Sequence, residues 1–161
     1  MSNYLKYGYL EVKDVVSFPS LKMITKHPVV VSECIQEIPC NPCVTSCQFQ
    51  AISMEGINGI PVINFEKCSG CGKCVSICPG LALFLIGIKG KKGLVTLPFE
   101  MLPVPLKGEK VYLLDRKGKE IGQGDVLRVI FPDKSTKSAV ITVSFDNIEL
   151  IKSVRNIRSL K

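Results

Sequence analysis

The chain has no tryptophan, a single histidine and no cysteine beyond Cys78. With His27 alone, no site built on paired imidazoles is available, and His27 itself, just before Pro28, reads as a structural or surface residue. From Gly93 onward there is no nucleophile beside a base, no phosphate-binding glycine loop and no group of metal ligands, which leaves that half without recognisable catalytic chemistry. No apolar run is long enough to cross a bilayer; the longest, around Gly80 to Ile88, is far too short. Ser2 to Leu10 holds no apolar run behind a basic start, so no secretory leader is expected, and a reducing, cytoplasmic compartment is. Dense basic runs and an aromatic-rich RNA-binding pattern are also missing: the cations of "LLDRKGKE" and "SFDNIELIKS" alternate with acids. Nucleic acid is therefore not the expected partner.

Charge and sulfur are distributed in opposite halves. Residues 1–88 carry six lysines against six acids, whereas residues 89–161 carry fifteen basic side chains against eight acids and account for the whole formal charge of +7. All eight cysteines lie in the neutral half, as Cys34, Cys40, Cys43 and Cys47, then Cys68, Cys71, Cys74 and Cys78. That is the number of thiolates two four-cysteine sites require. Four-cysteine zinc sites also use paired C-x2-C motifs, but they do not call for three cysteines in register followed by C-x3-C-P. A disulfide framework would be expected in a shorter, secreted chain poorer in core aliphatics.

The second group, "CSGCGKCVSICPG", has the C-x2-C-x2-C-x3-C-P spacing of iron–sulfur ligands. On these residues the chain resembles the bacterial-type two-[4Fe-4S] ferredoxin domain over residues 30–86. Gly70, Gly72 and Pro79 fit the pattern. In "CIQEIPCNPCVTSCQFQAI" the first gap is expanded to five residues, and Gln48 stands where the family has proline. The resemblance implies crossed ligation: Cys34, Cys40, Cys43 and Cys78 on one [4Fe-4S] cluster, Cys68, Cys71, Cys74 and Cys47 on the other, with Cys34 placed by the longer loop. The altered loop "CIQEIPCNPC" resembles those that accompany FAD-dependent amino-acid or amine dehydrogenases in anaerobic bacteria and archaea. It implies a non-catalytic electron-transfer subunit in a hetero-oligomer, with FAD or FMN on a flavoprotein partner. A free-standing ferredoxin shuttle and a zinc-containing nucleic-acid-binding module are the competing readings.

The expected fold class is α+β, a ferredoxin-type domain over 28–88 followed by a small antiparallel β-barrel-like docking domain over 89–161, with 1–27 as an extended arm and possible interface. Strands are expected at Pro28–Ser32, Ala51–Met54, Pro61–Phe65 and Ala82–Leu85, and short helices at Val44–Phe49 and Lys73–Cys78. "CQFQAISM" answers "CPGLALFL" as an internal repeat. "GIKGKKG", Gly87 to Gly93, reads as a flexible junction. Beyond it, alternation places strands at Leu94–Leu97, Lys110–Leu114, Asp125–Phe131, Ala139–Phe145 and Ile148–Val154, joined by "DRKGKE" and "PDKSTKS" turns.

Overall fold

The β-branched and aliphatic runs gather into one seven-stranded antiparallel sheet in this computed structural model, which describes residues 3–133 and 138–160. Its strands are β1 (Val29–Ser32), β4 (Leu83–Lys89), β5 (Lys92–Phe99), β6 (Lys110–Leu114), β7 (Glu120–Ile130), β8 (Ala139–Phe145) and β9 (Asn156–Ser159), in the order β1-β4-β5-β8-β7-β6-β9. A separate two-stranded ladder joins β2 (Ile52–Ser53) to β3 (Val62–Ile63). Four short helices, α1 (Asn3–Tyr7), α2 (Leu21–Lys26), α3 (Pro42–Ser46) and α4 (Lys73–Ile77), lie outside the sheet in sequence.

The hydrophobic pattern explains the order of the strands. β5 buries every second residue, Gly93, Val95, Leu97 and Phe99, as a strand with one core face does. β8, "AVITVSF", is buried at six of seven positions and occupies the middle of the sheet. Val95, Leu97, Val111, Leu113, Ile141 and Val143 are completely buried and hold these strands together. At roughly 25 cal/mol per Å² of apolar surface removed from water, such a cluster is the main stabilising contribution of this half.

The expected barrel is not formed. The sheet is open, with β1 and β9 at its two edges and no ladder between them among the described residues. The strands after residue 93 do not need to close on themselves, because the edge that closure would have removed is covered by β4 and β1 from the cysteine-rich half. β5 pairs with β4 from Leu85↔Thr96 to Lys89↔Lys92. The segment expected as a flexible junction is thus a hairpin, turned at Gly90, whose φ is +63°. Residues 28–88 and 89–161 therefore share one continuous sheet.

Three local expectations also change. The segment expected as an extended arm contains short helices among its described residues: Gly8, at φ +74°, ends α1, and the Ser20 side chain caps α2 by accepting from Met23 N. Ile148–Val154 is mostly a 3-10 turn, Ile148–Lys152, because its buried residues, Ile151 and Val154, recur every third position; Asn147 accepts from Glu149 N at its start. β7 begins five residues earlier than its alternation implied, since Gly124, which reads as a turn residue, is needed inside the strand: a Cβ there would lie 2.7 Å from Ser144 O. Of the expected "PDKSTKS" turn, residues 134–137 lie outside the described residues.

Candidate metal centre

The internal repeat seen in the sequence extends to individual hydrogen bonds. α3 and α4 open alike, with Val44 N donating to Asn41 O at 3.0 Å and Val75 N to Gly72 O at 3.1 Å. Thr45 Oγ1 donates to Pro42 O at 3.2 Å, and Ser76 Oγ to Lys73 O at 2.8 Å. Each helix is ended by a cysteine, and a turn follows in which a non-glycine residue has positive φ, Gln50 at +51° and Leu81 at +52°. The next amide donates back to the cysteine sulfur: Ala51 N to Cys47 Sγ at 3.3 Å, Ala82 N to Cys78 Sγ at 3.4 Å.

Pairing of the strands crosses the two units. β2, which leaves the first unit, pairs with β3, which leads into the second; β4, which leaves the second, pairs with β1, which leads into the first. The closing bonds match as well, Asn64 N to Ala51 O and Glu33 N to Ala82 O, both 2.8 Å. Crossed pairing carries Cys78 toward the first ligand loop and Cys47 toward the second.

The thiols sort accordingly. Cys34 feels the charge of Cys78 and Cys40, and Cys43 that of Cys78, Cys34 and Cys40. Cys74 feels Cys68, Cys71 and Cys47, and these four line one narrow cavity with Val30, Ile52 and Leu85. Cys68 and Cys74 are buried, Cys71 is exposed, and the other five are half-buried; all eight are free thiols. Cys68 Sγ also accepts from Val30 N at 3.5 Å.

Burial pushes the Cys74 thiol up to about 12, the neighbouring thiols adding to it, and burial likewise raises Cys34 and Cys43. Four thiolates do not share such a site without a compensating cation. Among the described residues no three His, Cys, Asp or Glu side chains converge closely enough to hold a single metal ion.

The loops suit a larger inorganic group. Gly70 has φ +71°, and a Cβ on it would fall 2.2 Å from Pro28 O, so only glycine lets the second loop pass this close to the chain entering β1. Gly72, at φ +80°, opens α4 between Cys71 and Cys74. An all-sulfur donor set with amide N–H groups at Cys47, Cys68 and Cys78 is the chemistry that iron–sulfur ligation uses.

Sequence reasoning missed the surroundings of Cys34. Its neighbour Glu33 is buried against Arg116 and Arg155, with side chains between 4 and 8 % exposed. No spacing rule signals partners this distant along the chain.

Residues 61–84 match the family model described as a 4Fe-4S binding domain. A polyferredoxin-like subunit of an aliphatic sulfonate oxidoreductase from Pyrococcus furiosus is 47% identical over 47 residues, covering 29% of this chain and 27% of that protein. The ferredoxin-type protein NapF of Haemophilus influenzae is 30% identical over 83 residues, 48% of this chain and 47% of that one. One of the subunits of a Na(+)-translocating ferredoxin:NAD(+) oxidoreductase complex from Acetobacterium woodii is 43% identical over 44 residues, 27% and 13% of the two chains. The chain thus spans about half or less of the length of these curated relatives. No solved structure matches it. No helix among the described residues is long and apolar enough to cross a membrane. What the matches and the donor set have in common is a ferredoxin-like iron–sulfur segment with an electron-transfer role.

Proposed function

We propose that this chain conducts electrons through two [4Fe-4S] clusters, one on Cys34, Cys40, Cys43 and Cys78 and the other on Cys68, Cys71, Cys74 and Cys47, as a subunit of a flavin-dependent oxidoreductase that acts on an amino acid or amine. The observation that carries it is the crossed strand pairing of the two loop–helix units, together with the cavity that Cys47 shares with Cys68, Cys71 and Cys74. Bound there, each cluster would supply reversible one-electron storage. The chain's own part is to hold the sulfurs, exclude water with Val30, Ile52, Val75 and Leu85, and donate amide hydrogen bonds to three of the ligands.

Membership of a complex draws support from two relatives whose names describe subunits of oxidoreductases. The flavin, FAD or FMN, belongs to the partner. In this reading residues 28–88 hold the clusters, 89–161 present a docking surface, and 1–27, with Leu5, Val16 and Leu21 exposed, face another subunit. A reducing cytoplasm suits eight thiols that must stay free for iron.

Anaerobic isolation from the native cell tests the proposal, with iron, sulfide and flavin measured together. The expected result is about eight irons and eight sulfides per chain and a copurifying flavoprotein. Bound zinc, or a monomer that carries iron and retains no flavoprotein, would refute the cluster or the subunit assignment respectively.

A further inference from the structure

Cys71, the one exposed thiol of the eight, lines a second hollow besides the narrow cavity: a groove of about 450 Å³ between the second ligand loop and one face of the sheet. Buried Leu85 and Val140 lie deep in it, with Leu94 and Leu127 beside them. Its threonines, Thr96 on β5 and Thr142 on β8, face each other in register and share a hydrogen bond of 2.8 Å, which engages one of their two hydroxyl protons.

Lys73, Lys89 and Arg128 also line the groove, all three exposed, and among the described residues no carboxylate does. A regular strand sends successive side chains to opposite faces, yet both Leu127 and Arg128 line this one groove. The register slip between Val126 and Arg128 makes that possible, one added residue turning a leucine and an arginine to the same side.

We propose that this groove docks an acidic protein redox partner, an apolar side chain of which seats on Leu94, Leu127 and Val140 while its carboxylates meet Lys73, Lys89 and Arg128, and that electrons cross at Cys71. The inference rests on the iron–sulfur reading above and adds to it the place and the chemistry of the contact. A seated partner touches the exposed Cys71 directly, whereas the hollow of about 340 Å³ beside the other group is lined by Cys34, which is half-buried, and carries the carboxylate of Glu33. In each encounter the chain gives up one electron and the partner's flavin gains it, with no bond made or broken.

The test uses the iron-loaded chain and a flavodoxin as an acidic one-electron acceptor, mixed anaerobically in stopped flow. Lys73→Glu with Arg128→Glu is expected to slow the second-order reaction roughly tenfold or more at low salt and to flatten its salt dependence. Lys107→Glu with Lys119→Glu, equal in charge but outside the groove, is expected to stay within about twofold of the parent. Carbodiimide coupling of the unmodified proteins should join flavodoxin carboxylates to Lys73 and Lys89. Equal slowing by both pairs with normal colour and iron, coupling confined to other lysines, or neither reaction nor coupling in the parent would each overturn the docking site. A colourless, iron-free protein would strike down the cluster reading itself.

Discussion

Arg155, one residue before β9, donates from Nε to Glu33 Oε1 at 2.5 Å, and Glu33 lies one residue past β1 and next to Cys34. The bond ties the two edges of an open sheet together by side chains in place of a ladder. Arg116, in the turn between β6 and β7, reaches the same carboxylate from Nε at 3.0 Å. One buried anion therefore answers two buried cations. Arg155 shows the imbalance: burial lowers its guanidinium to about 10 with Arg116 opposing its charge, Nη2 finds no acceptor among the described residues, and the Phe84 ring packs 4.9 Å from its charged carbon.

Glu33→Gln is expected to be the costliest polar substitution in the chain, because it leaves two guanidiniums buried with no counter-charge. Removing one member of such a group costs about 3–5 kcal/mol. Arg155→Met should cost less than half as much, since Glu33 keeps Arg116 and a thioether packs on Phe84 without a charge. Urea unfolding of both variants distinguishes the cases; equal losses would mean that packing, not charge count, governs this corner.

Cysteine spacing is legible because the positions of the sulfurs follow from local loop and helix geometry, and the repeat is visible for the same reason. Strands such as Lys110–Leu114 and Ala139–Phe145 were legible as apolar runs with bounded ends. The course of the sheet was not. Gly87, Gly90 and Gly93 read as a linker, whereas Gly93 lies so close to Phe145 that a Cβ would meet the ring at 2.5 Å, a packing demand that composition does not reveal. Barrel closure was inferred from the need to cover edges, and the cover came from β4. Glu33 could not be linked to arginines 83 and 122 positions away.

The same repeat sharpens the role of Cys34. By the interval that relates Cys40 to Cys71 and Cys43 to Cys74, the counterpart of Cys68 is Glu37, which is exposed, while Cys34 sits half-buried beside Cys78 and Cys40. Cys34→Ala is expected to lose about four of eight irons, as is Cys78→Ala although it lies in the other sequence group. Adding Glu37→Cys to Cys34→Ala restores the regular spacing and should recover the missing irons. Iron analysis with low-temperature EPR decides it; a full complement in Cys34→Ala alone would remove Cys34 from the ligands.

Gly70→Ala should separate the two sites. Its left-handed backbone and the 2.2 Å approach to Pro28 O leave no room for a methyl group, so the second loop must shift away from β1. About half the iron is expected to be lost, with far-ultraviolet circular dichroism of the sheet unchanged. Gly80→Ala serves as control, because Gly80 has ordinary φ and open space around its Cβ position. If both variants bind iron like the parent, the second loop does not depend on that approach.

Alkali should act on the metal-free chain through Cys74. An acid whose folded value, about 12, lies above its unfolded value of 9.0 is held more tightly as the protonated form in the fold. Its contribution to stability is complete below pH 9 and falls as the pH climbs from 9 toward 12. The metal-free protein should therefore unfold at lower urea concentration at pH 10.5 than at pH 8, by more than a Cys74→Ala variant does over the same interval. Iron removes this loss, since ligation requires the thiolate and releases the proton, so the loaded protein should lack the fall in stability between pH 8 and pH 10.5. Parallel curves for the metal-free parent and the variant would show that Cys74 ionises as freely in the fold as in the unfolded chain, and would contradict the buried second site.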